Sequence, residues 1–511
     1  MILLALAACG DTPGDSGPAP APAACDPFDI VQTGSWEGDV LPATHDVQGT
    51  QPGVALGDLD GDGFLDAFFA YAGGSMIFRN DGTGALVDEP AFTVDGGAPP
   101  WAMAVALADL DADGDLDAHI GRWFDTEDRI LWNDGTGAFT SEPLVGSTGA
   151  TFASAFADAD ADGDLDLFVG AGAMNMTFEA ISAGEQRGDP NLLYFQEEGG
   201  FVLGEGRMPE DTLYGITFQG AWLDADSDGD LDLYVANDAG PFLEPNHLLL
   251  NDGAGTFTKA EDCDCALVMF AMGAAIVDPN GDGAPDMYIT DVGSPNLLVN
   301  QRDGTFADAT LALGADIPAT PESMVSWGVV VTDLNSDRHP DLVVTFGRSG
   351  DNFAAAGVEG EDGELQPDVV LLGLPDGTYT RAEGLSFADP SRTRAVAMGD
   401  LDRDGRPDLV TAGKHFLRSW RTTGGCAPGL TLSTNAGGGD VHGIGARVTV
   451  EAGGVVTHQW MLPGATGSSN APELYFGLAG AETAERVTVR WLDGTETVLT
   501  DVPAGPLVVA R

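Results

Sequence analysis

A nine-residue acidic pattern is repeated seven times in this 511-residue chain, and it constrains the fold more than any other feature. Each copy reads D-x-[D/N]-x-D-x-x-x-D between two short apolar runs, such as VALG and AFFAY around the first copy. The copies start at Asp58, Asp109, Asp158, Asp224, Asp278, Asp333 and Asp400. Their start-to-start spacing, roughly 49–67 residues, indicates a repeat architecture built from small units.

The spacing within a copy is that of a cation-binding loop. In the first copy the carboxylates alternate, so a tightly turning backbone brings them to one point, and Gly63 stands where the turn needs a residue without Cβ strain. The predicted ligands are Asp58, Asp60, Asp62, the carbonyl of Phe64, and Asp66. Ca²⁺ takes roughly 6–8 oxygen ligands, whereas Mg²⁺ demands a tighter octahedron and retains water, so the loop favours Ca²⁺.

The other copies offer the same ligand positions. Their predicted ligands are Asp109, Asp111, Asp113, Asp115 and Asp117; Asp158, Asp160, Asp162, Asp164 and Asp166; Asp224, Asp226, Asp228, Asp230 and Asp232; Asp278, Asn280, Asp282, Ala284 and Asp286; Asp333, Asn335, Asp337, His339 and Asp341; and Asp400, Asp402, Asp404, Arg406 and Asp408. Asn280 and Asn335 still offer an amide oxygen, but Arg338 replaces the turn glycine of the sixth copy, so the weakest site is expected there. We predict up to seven mainly structural Ca²⁺ ions, one per copy. The alternative is a solvated acidic face without metal.

Two other calcium architectures fit less well. An EF-hand needs a bidentate Glu at the twelfth position and flanking helices. The twelfth residues here are Phe69, Ile120, Val169, Val235, Ile289, Val344 and Thr411. The flanking runs are rich in branched and aromatic residues, which is typical of strands. A glycine-rich β-roll is excluded because its G-G-x-G-x-D repeat is missing.

Each unit is predicted to form a small antiparallel sheet of four strands. Asn-Asp-Gly turns, which favour tight hairpins, occur at Asn80, Asn133 and Asn251. Sheets of this size, closed radially, bury both faces and leave few edges. We therefore predict an all-β fold, with a seven-bladed β-propeller over about Pro27 to Arg421. An open solenoid is the alternative. Longer spacings predict insertions at 174–189 and 347–366, of the kind that often carries binding.

The repeats resemble the FG-GAP or VCBS repeats of integrin-α-like β-propellers, and the whole chain resembles a bacterial member of the cartilage acidic protein family. In that family the propeller precedes an ASPIC/UnbV domain. The motifs that carry this part of the resemblance are GIGARVTV (443–450), GSSN (467–470), LYFGLAG (474–480) and VTVRWLDGTE (487–496). The predicted divisions are a signal-like segment at 1–9, a tether at 10–26, the propeller at 27–428 and a small β domain at 429–511. Arg338 and the lack of an EGF-like cysteine module depart from the family pattern.

The charge balance limits the class of partner. With 81 acidic and 21 basic residues, the formal net charge is −60. A surface of this sign disfavours nucleic acid and anionic membranes as partners. We expect an unidentified protein or glycan ligand, and a monomer.

The N-terminus predicts export. The run Leu6-Ala7-Ala8-Cys9 resembles a bacterial lipobox, in which the cysteine is lipidated. The apolar run is too short to span a bilayer and lacks the positive region of a full signal. We therefore expect the true start to lie upstream; the alternative is that the lipobox resemblance is accidental. A lipid anchor at Cys9 is the membrane contact that we expect, and the predicted location is the outer membrane, the cell surface or the medium.

Four further cysteines are expected to form disulfides in an exported chain. Cys25 and Cys426 flank the predicted propeller, and a bond between them would close the ring. Cys263 and Cys265 could pair locally; a thiolate metal site is the alternative, but no third and fourth soft ligand lies nearby in the sequence.

No motif predicts catalysis. The seven histidines are scattered, and GGGDVHGIG (437–445) matches neither a P-loop nor a dinucleotide fingerprint. We therefore predict a non-enzymatic cell-surface binding or adhesion-type module. The alternatives are a polysaccharide-binding, lectin-like protein and an enzyme that uses the propeller channel. Trp101, Trp123, Trp222 and Trp327 are the aromatic residues that a lectin could expose, unless they belong to the blade core.

Overall fold

The computed structural model describes residues 25–37, 52–71, 74–88, 102–123, 126–147, 149–173, 178–197, 200–317, 324–347, 366–388, 392–413, 416–462, 464–465 and 467–511. The predicted signal-like segment, Cys9, almost all of the predicted tether and Trp101 lie outside these residues, as does most of the second predicted insertion. Nearly all regular structure in the described part is strand. No helix there is both long enough and apolar enough to cross a membrane.

The repeated units form four-stranded antiparallel sheets. Strand β1 (Asp26–Glu37) precedes the units. The first four sheets contain β2 (Gly53–Gly57), β3 (Asp66–Tyr71), β4 (Gly74–Asn80) and β5 (Leu86–Asp88); β6 (Ala102–Ala108), β7 (Asp117–Arg122), β8 (Arg129–Asn133) and β9 (Phe139–Pro143); β10 (Thr151–Ala157), β11 (Asp166–Ala171), β12 (Leu192–Glu197) and β13 (Gly200–Leu203); and β14 (Ile216–Leu223), β15 (Asp232–Asp238), β16 (His247–Asn251) and β17 (Phe257–Lys259). The next three contain β18 (Ala271–Val277), β19 (Asp286–Asp291), β20 (Asn296–Asn300) and β21 (Phe306–Asp308); β22 (Ser326–Thr332), β23 (Asp341–Phe346), β24 (Val369–Gly373) and β25 (Tyr379–Arg381); and β26 (Thr393–Gly399), β27 (Asp408–Gly413) and β28 (Phe416–Gly425) together with β1. Short helical turns lie at α1 (Phe178–Ser182), Glu210–Thr212 and Ser386–Ala388.

The seven sheets of the described residues are arranged in a ring. Each first strand contacts the first strand of the next sheet, from β2 through β6, β10, β14, β18 and β22 to β26, and β26 contacts β2. These inner strands are rich in small residues, as in AMAVALA of β6, and are almost entirely buried. Apolar clusters fill the spaces between successive sheets all around this ring. The molecule is therefore an all-β propeller, which confirms the predicted fold class.

The ring is closed by the N-terminal strand. β1 pairs antiparallel with β28 and forms the outer strand of the last sheet. The disulfide Cys25–Cys426 joins the start of β1 to the end of β28, with the Cα atoms 4.4 Å apart. A second disulfide joins Cys263 to Cys265. Both pairings are those that the sequence suggested.

The C-terminal strands build a separate β domain with its own core. They are β29 (Leu430–Asn435), β30 (Arg447–Ala452), β31 (Val455–Trp460), β32 (Gly464–Ala465), β33 (Ser468–Ser469), β34 (Leu474–Phe476), β35 (Thr483–Arg490), β36 (Glu496–Pro503) and β37 (Gly505–Ala510). The sheet β31-β30-β35-β36 faces the sheet β34-β29-β37 across a core that includes Leu432, Val448 and Trp491.

One hairpin of this C-terminal domain enters the centre of the propeller. Strand β33 pairs in parallel with β2, the innermost strand of the first sheet, and β32 contacts the inner strands of five other sheets. The Val54 amide donates to Ser468 Oγ at 3.2 Å, and the Val105 amide donates to the Gly467 carbonyl at 3.2 Å. The hairpin contains the GSSN motif and fills the channel, which the sequence did not predict.

Candidate metal centres

Each acidic loop joins the first strand of a sheet to the second, so all the loops lie on one face of the ring. The first aspartate of the loop fixes the turn. Asp58 Oδ1 accepts hydrogen bonds from the Gly61 and Asp62 amides at 2.8 and 3.1 Å, and Oδ2 accepts one from Gly63 at 2.9 Å. The sixth position has a positive φ, 90° at Gly63, which a glycine adopts without strain. The D-x-D-x-D-G order therefore specifies the loop locally.

In five loops three carboxylates converge on one point. The ligand atoms of each group lie within 4.8 Å of one another. The groups are Asp58, Asp60 and Asp62; Asp109, Asp111 and Asp117; Asp158, Asp160 and Asp166; Asp224, Asp226 and Asp232; and Asp400, Asp402 and Asp404. The fifth and sixth loops, which have Asn at the third position, form no such three-acid group among the described residues.

Six loops also retain a buried carboxylate oxygen without a hydrogen-bond partner. These atoms are Asp60 Oδ1, Asp109 Oδ1, Asp160 Oδ1, Asp224 Oδ1, Asp286 Oδ2 and Asp402 Oδ1. A buried charged oxygen without a partner is strongly destabilising, and a cation removes that penalty. The all-oxygen donor set fits a hard cation such as Ca²⁺.

The ninth aspartate has a second role as a structural link. Asp117 Oδ2 accepts a hydrogen bond from the Leu110 amide at 3.0 Å, and Oδ1 accepts one from the Asn133 amide at 2.8 Å. The loop is thereby tied to the end of the third strand. In the second, third and fourth loops this carboxylate also belongs to the converging group; in the first and seventh loops it does not.

The seventh-position aspartates contact groups outside their own loops, whereas Arg406 Nε lies 4.0 Å from Asp404 Oδ2 of its own converging group. The Asp115 and Asp230 carboxylates lie against the hairpin glycines Gly135 and Gly253 of their own sheets, and Asp164 lies against Gly439 of the C-terminal domain. Arg406 donates to the Cys426 carbonyl at 2.8 Å. These positions can thus contribute a backbone carbonyl, as predicted for Phe64, while their side chains serve other contacts.

Burial and repulsion by neighbouring aspartates raise the pKa of the ninth-position carboxylates in the second, third and fourth loops. Burial is the largest cause, and neighbouring aspartates add to it, raising the pKa of Asp117 to about 7 and those of Asp166 and Asp232 to about 8. A divalent cation at the same point would favour the ionised form and reverse the shift. Protons and metal therefore compete for these sites.

The turn asparagines have a role that the sequence did not reveal. Asn133 was predicted only as a turn former, but its Nδ2 donates to Leu116 O of its own sheet at 3.1 Å and to Leu59 O of the preceding loop at 3.0 Å. Equivalent bridges to the preceding sheet run from Asn80, Gln196, Asn251 and Asn300. For Asn80, Asn133 and Asn251 the available signal was the recurrence of Asn directly before Asp-Gly; Gln196 and Asn300 lack it.

The C-terminal domain covers part of the loop face. The Asp440 amide donates to Gly163 O of the third loop at 3.0 Å, and Arg447 Nη1 donates to Gly283 O of the fifth loop at 3.0 Å. At the seventh loop the Asp400 amide donates to the Tyr475 hydroxyl at 2.7 Å. The domain is therefore packed on the acidic loops themselves.

The tryptophans that a lectin could expose are buried where they are described. Trp123, Trp222 and Trp327 are 5%, 3% and 2% exposed, respectively, and each belongs to an apolar cluster. They are core residues and form no aromatic binding platform.

Comparison with protein families agrees with this architecture. FG-GAP-like repeats match residues 58–120, 122–169, 224–289 and 278–344, and the ASPIC and UnbV domain matches residues 437–510. The chain is a β-propeller protein with FG-GAP-like repeats and a C-terminal ASPIC and UnbV domain, as the resemblance implied. It has no match among curated proteins.

Several solved structures match this chain along most of their length. One is an Agrocybe aegerita lectin, described for specific recognition of non-reducing terminal N-acetylglucosamine, with 15% identity, a TM-score of 0.42 and coverage of 73% of this chain and 99% of that chain. Another is BBS1N in complex with ARL6DN, with 10% identity, a TM-score of 0.45 and coverage of 76% and 96%. A streptogramin B lyase has 10% identity, a TM-score of 0.43 and coverage of 78% and 98%.

Proposed function

We propose that this protein is an exported, calcium-binding β-propeller that acts as a binding module at the cell surface. The observation that carries the calcium assignment is the buried, unpartnered carboxylate oxygen in six of the acidic loops. Five of those loops also bring three carboxylates together. In a chain with a net charge of −60, bound cations would relieve the repulsion that these clusters create.

The proposed role of the metal is structural. Bound Ca²⁺ would supply a positive charge and a coordination centre that hold the first and second strands of a sheet together. The first and third aspartates would contribute side-chain oxygens, together with the fifth in the first and seventh loops and with the ninth in the second, third and fourth loops. Folding and calcium binding would then be thermodynamically coupled.

We propose that the ligand binds on the face opposite the acidic loops. The C-terminal domain occupies part of the loop face, and its hairpin fills the channel. The opposite face carries the connections between second and third strands, among them the described part of the first predicted insertion, 178–189. Connections of this kind tolerate insertion and often carry binding residues.

A binding role is better supported than the two alternatives. The hairpin in the channel leaves little room for an active site there, and the cavity beside it is about 80 Å³, enough for a few water molecules. Of the four tryptophans on which the lectin alternative depended, the three in the described residues, Trp123, Trp222 and Trp327, are buried. The proposed ligand remains a protein or glycan, bound by a monomer.

Export is supported by the two disulfides, because such bonds persist mainly in oxidising compartments. Lipidation of Cys9 can be tested by fractionating a bacterial host that expresses the chain with an added, positively charged signal region ahead of its apolar run. We expect wild-type protein in the membrane fraction and Cys9→Ala protein in a soluble fraction. Equal distribution of the two would contradict the lipid anchor.

Calcium binding can be tested by calorimetric titration of chelator-treated protein. We expect roughly six sites, from the six loops with an unpartnered oxygen. Asp109→Asn should remove one site, because Asp109 belongs to a converging group. Asp115→Asn is the matched control and should leave the number unchanged, because its carboxylate lies against Gly135. A titration that detects no calcium binding would contradict the assignment.

The binding role can be tested with the biotinylated protein on immobilised panels of extracellular glycans and proteins. We expect the protein to be retained on a panel when calcium is present and to be lost when a chelator is added, because the proposed fold depends on the metal. Lack of retention on either panel in calcium would count against a surface-binding role.

A further inference from the structure

The sixth loop differs from the other six in its hydrogen bonding. Although all seven loops lie within the described residues, the sixth alone leaves no buried carboxylate oxygen without a partner. Asp333 Oδ1 accepts from the Asp337 amide at 2.9 Å, and Asp341 accepts from the Leu334 and Gly373 amides at 2.9 Å each. Loops with an unpartnered oxygen accept equivalent bonds at their first and ninth aspartates, so the sixth loop is distinguished by the donors that it adds to these.

One of those donors comes from the C-terminal domain. The Gly477 amide donates to Asp333 Oδ2 at 2.8 Å, beside the Arg338 amide at 2.7 Å. In the first loop the equivalent oxygen, Asp58 Oδ2, accepts only from Gly63. A Cβ atom on Gly477 would overlap Asp333 Oδ2, so this approach requires glycine. The LYFGLAG motif thus places its first glycine against the loop.

Arg338, the residue that breaks the loop pattern, reaches the same domain. It has a φ of 83° at the position where the other loops have glycine, a conformation that strains a residue with a side chain. Its Nη1 donates to the Ala452 carbonyl at 3.0 Å and to that of Gly453 at 3.4 Å. These contacts offset the backbone strain and explain why the sixth loop has Arg in place of Gly.

The backbone carbonyls of the loop are also occupied by residues C-terminal to the ring. Arg338 O accepts from Thr457 Oγ1 at 3.0 Å, and Ser336 O accepts from the Ala479 amide at 3.0 Å. Asn335 O accepts from the Cys426 amide at 2.8 Å. Cys426 and the C-terminal domain therefore hold this loop by its backbone as well as by Asp333 and Arg338.

We propose that the sixth acidic loop is a docking site for the C-terminal domain and holds no calcium. Arg338 and Gly477 connect the loop to the C-terminal domain, and their hydrogen bonds take the place of a metal ion in the loop. The protein would thus bind six calcium ions on one face and use the remaining loop, the sixth, to fix the domain over that face. Docking at this loop would not require calcium.

The calcium number tests the first half of the proposal. Asp333→Asn should leave the calorimetric stoichiometry unchanged, whereas Asp109→Asn should lower it by one. Both changes replace a first-position carboxylate, so the comparison isolates the identity of the loop. Loss of one site in Asp333→Asn, as in Asp109→Asn, would overturn the proposal.

Hydrogen exchange tests the second half, with or without calcium. Arg338→Gly keeps the positive φ of the loop but removes the guanidinium, and the Gly477 and Ala479 amides should then exchange roughly tenfold faster or more. Arg302→Gly is the matched control: it also has a positive φ, 66°, and is exposed, and it should leave both amides unchanged. Wild-type exchange in Arg338→Gly would overturn the docking role.

Discussion

The first five sheets and the last two are joined to their neighbours in different ways. At the end of the third strand, each of the first five has an amide side chain that donates to the preceding acidic loop: Asn80, Asn133, Gln196, Asn251 and Asn300. The last two have Gly373 and Thr422 there, and the Thr422 hydroxyl donates within its own sheet, to Pro407 O. The repeated turn is therefore sufficient to join sheets only in the first part of the ring.

The junction of the last two sheets depends on segments outside the repeats. The Cys426 amide binds Asn335 O of the sixth loop, and Asp29 of β1 accepts from the Ser386 amide at 2.8 Å. The C-terminal domain adds its contacts to the sixth and seventh loops. The ring is therefore closed at the sheets that lack the amide bridge, by β1 and by residues from Cys426 onward.

Removal of the closing disulfide should have the largest effect among the substitutions that test this comparison. Cys25→Ser with Cys426→Ser should lower the free energy of unfolding by about 2–5 kcal/mol, because the bond spans a long stretch of chain. The sequence separation is 401 residues, against 2 for Cys263–Cys265, so the corresponding double serine variant is the control and should lose less. Urea unfolding at fixed calcium measures both. Equal losses of unfolding free energy in the two variants would show that the long-range disulfide stabilises the ring no more than the local one does.

Loss of one amide bridge should lower the free energy of unfolding by less, and it should also affect the neighbouring sheet. Asn133→Ala leaves the Leu59 and Leu116 carbonyls without their buried donor, which should cost about 1–3 kcal/mol. Hydrogen exchange should also accelerate in the neighbouring first loop, 58–66. Thr422→Val is the control: it should not change exchange in the sixth loop, 333–341, because Thr422 does not bridge to it. Confinement of the Asn133→Ala effect to its own sheet would contradict the bridge.

Acidity should weaken the calcium effect wherever a loop depends on metal. The pKa of Asp117 is raised to about 7 and those of Asp166 and Asp286 to about 8, chiefly by burial. The unfolded value is about 4, so without metal the folded state binds more protons; these groups stabilise it at low pH, and that stabilisation is lost as pH rises through the folded pKa values.

Calcium must displace those protons, so its effect on the melting temperature should be larger near about pH 8 than near about pH 5. Thermal unfolding at the two pH values, with and without calcium, checks the sign. Asp117→Asn should reduce the difference by a small amount, as one group among several. An equal calcium effect at both pH values would show that the raised carboxylates are not part of the metal sites.

The sequence predicted the features that depend on neighbouring residues in the chain. The acidic loop needs only its own nine residues to form its turn, so the position of Asp58 relative to Gly63 could be inferred from spacing. Four strands per unit and radial closure followed from the same periodicity. The pairing of Cys25 with Cys426 was accessible because both flank the repeats.

Features that depend on tertiary contacts could not be read in this way. The short β32–β33 hairpin pairs with β2 across more than four hundred residues, and the small residues of GSSN give no local sign of that. Arg338 predicted a weaker site, but its partners Ala452 and Gly453 are distant in sequence. Asn133 was visible as a turn residue, whereas its bridge to the preceding loop depends on the packing of two sheets.

The most direct test of the central claim is thermal unfolding of the purified chain with calcium and with a chelator. Binding to the native state alone adds about 2.7 kcal/mol per site at a hundredfold excess over the dissociation constant. Several such sites in one ring predict a large fall in melting temperature on chelation, restored by Ca²⁺ and only poorly by Mg²⁺. An unchanged melting temperature would show that the acidic loops do not hold structural calcium.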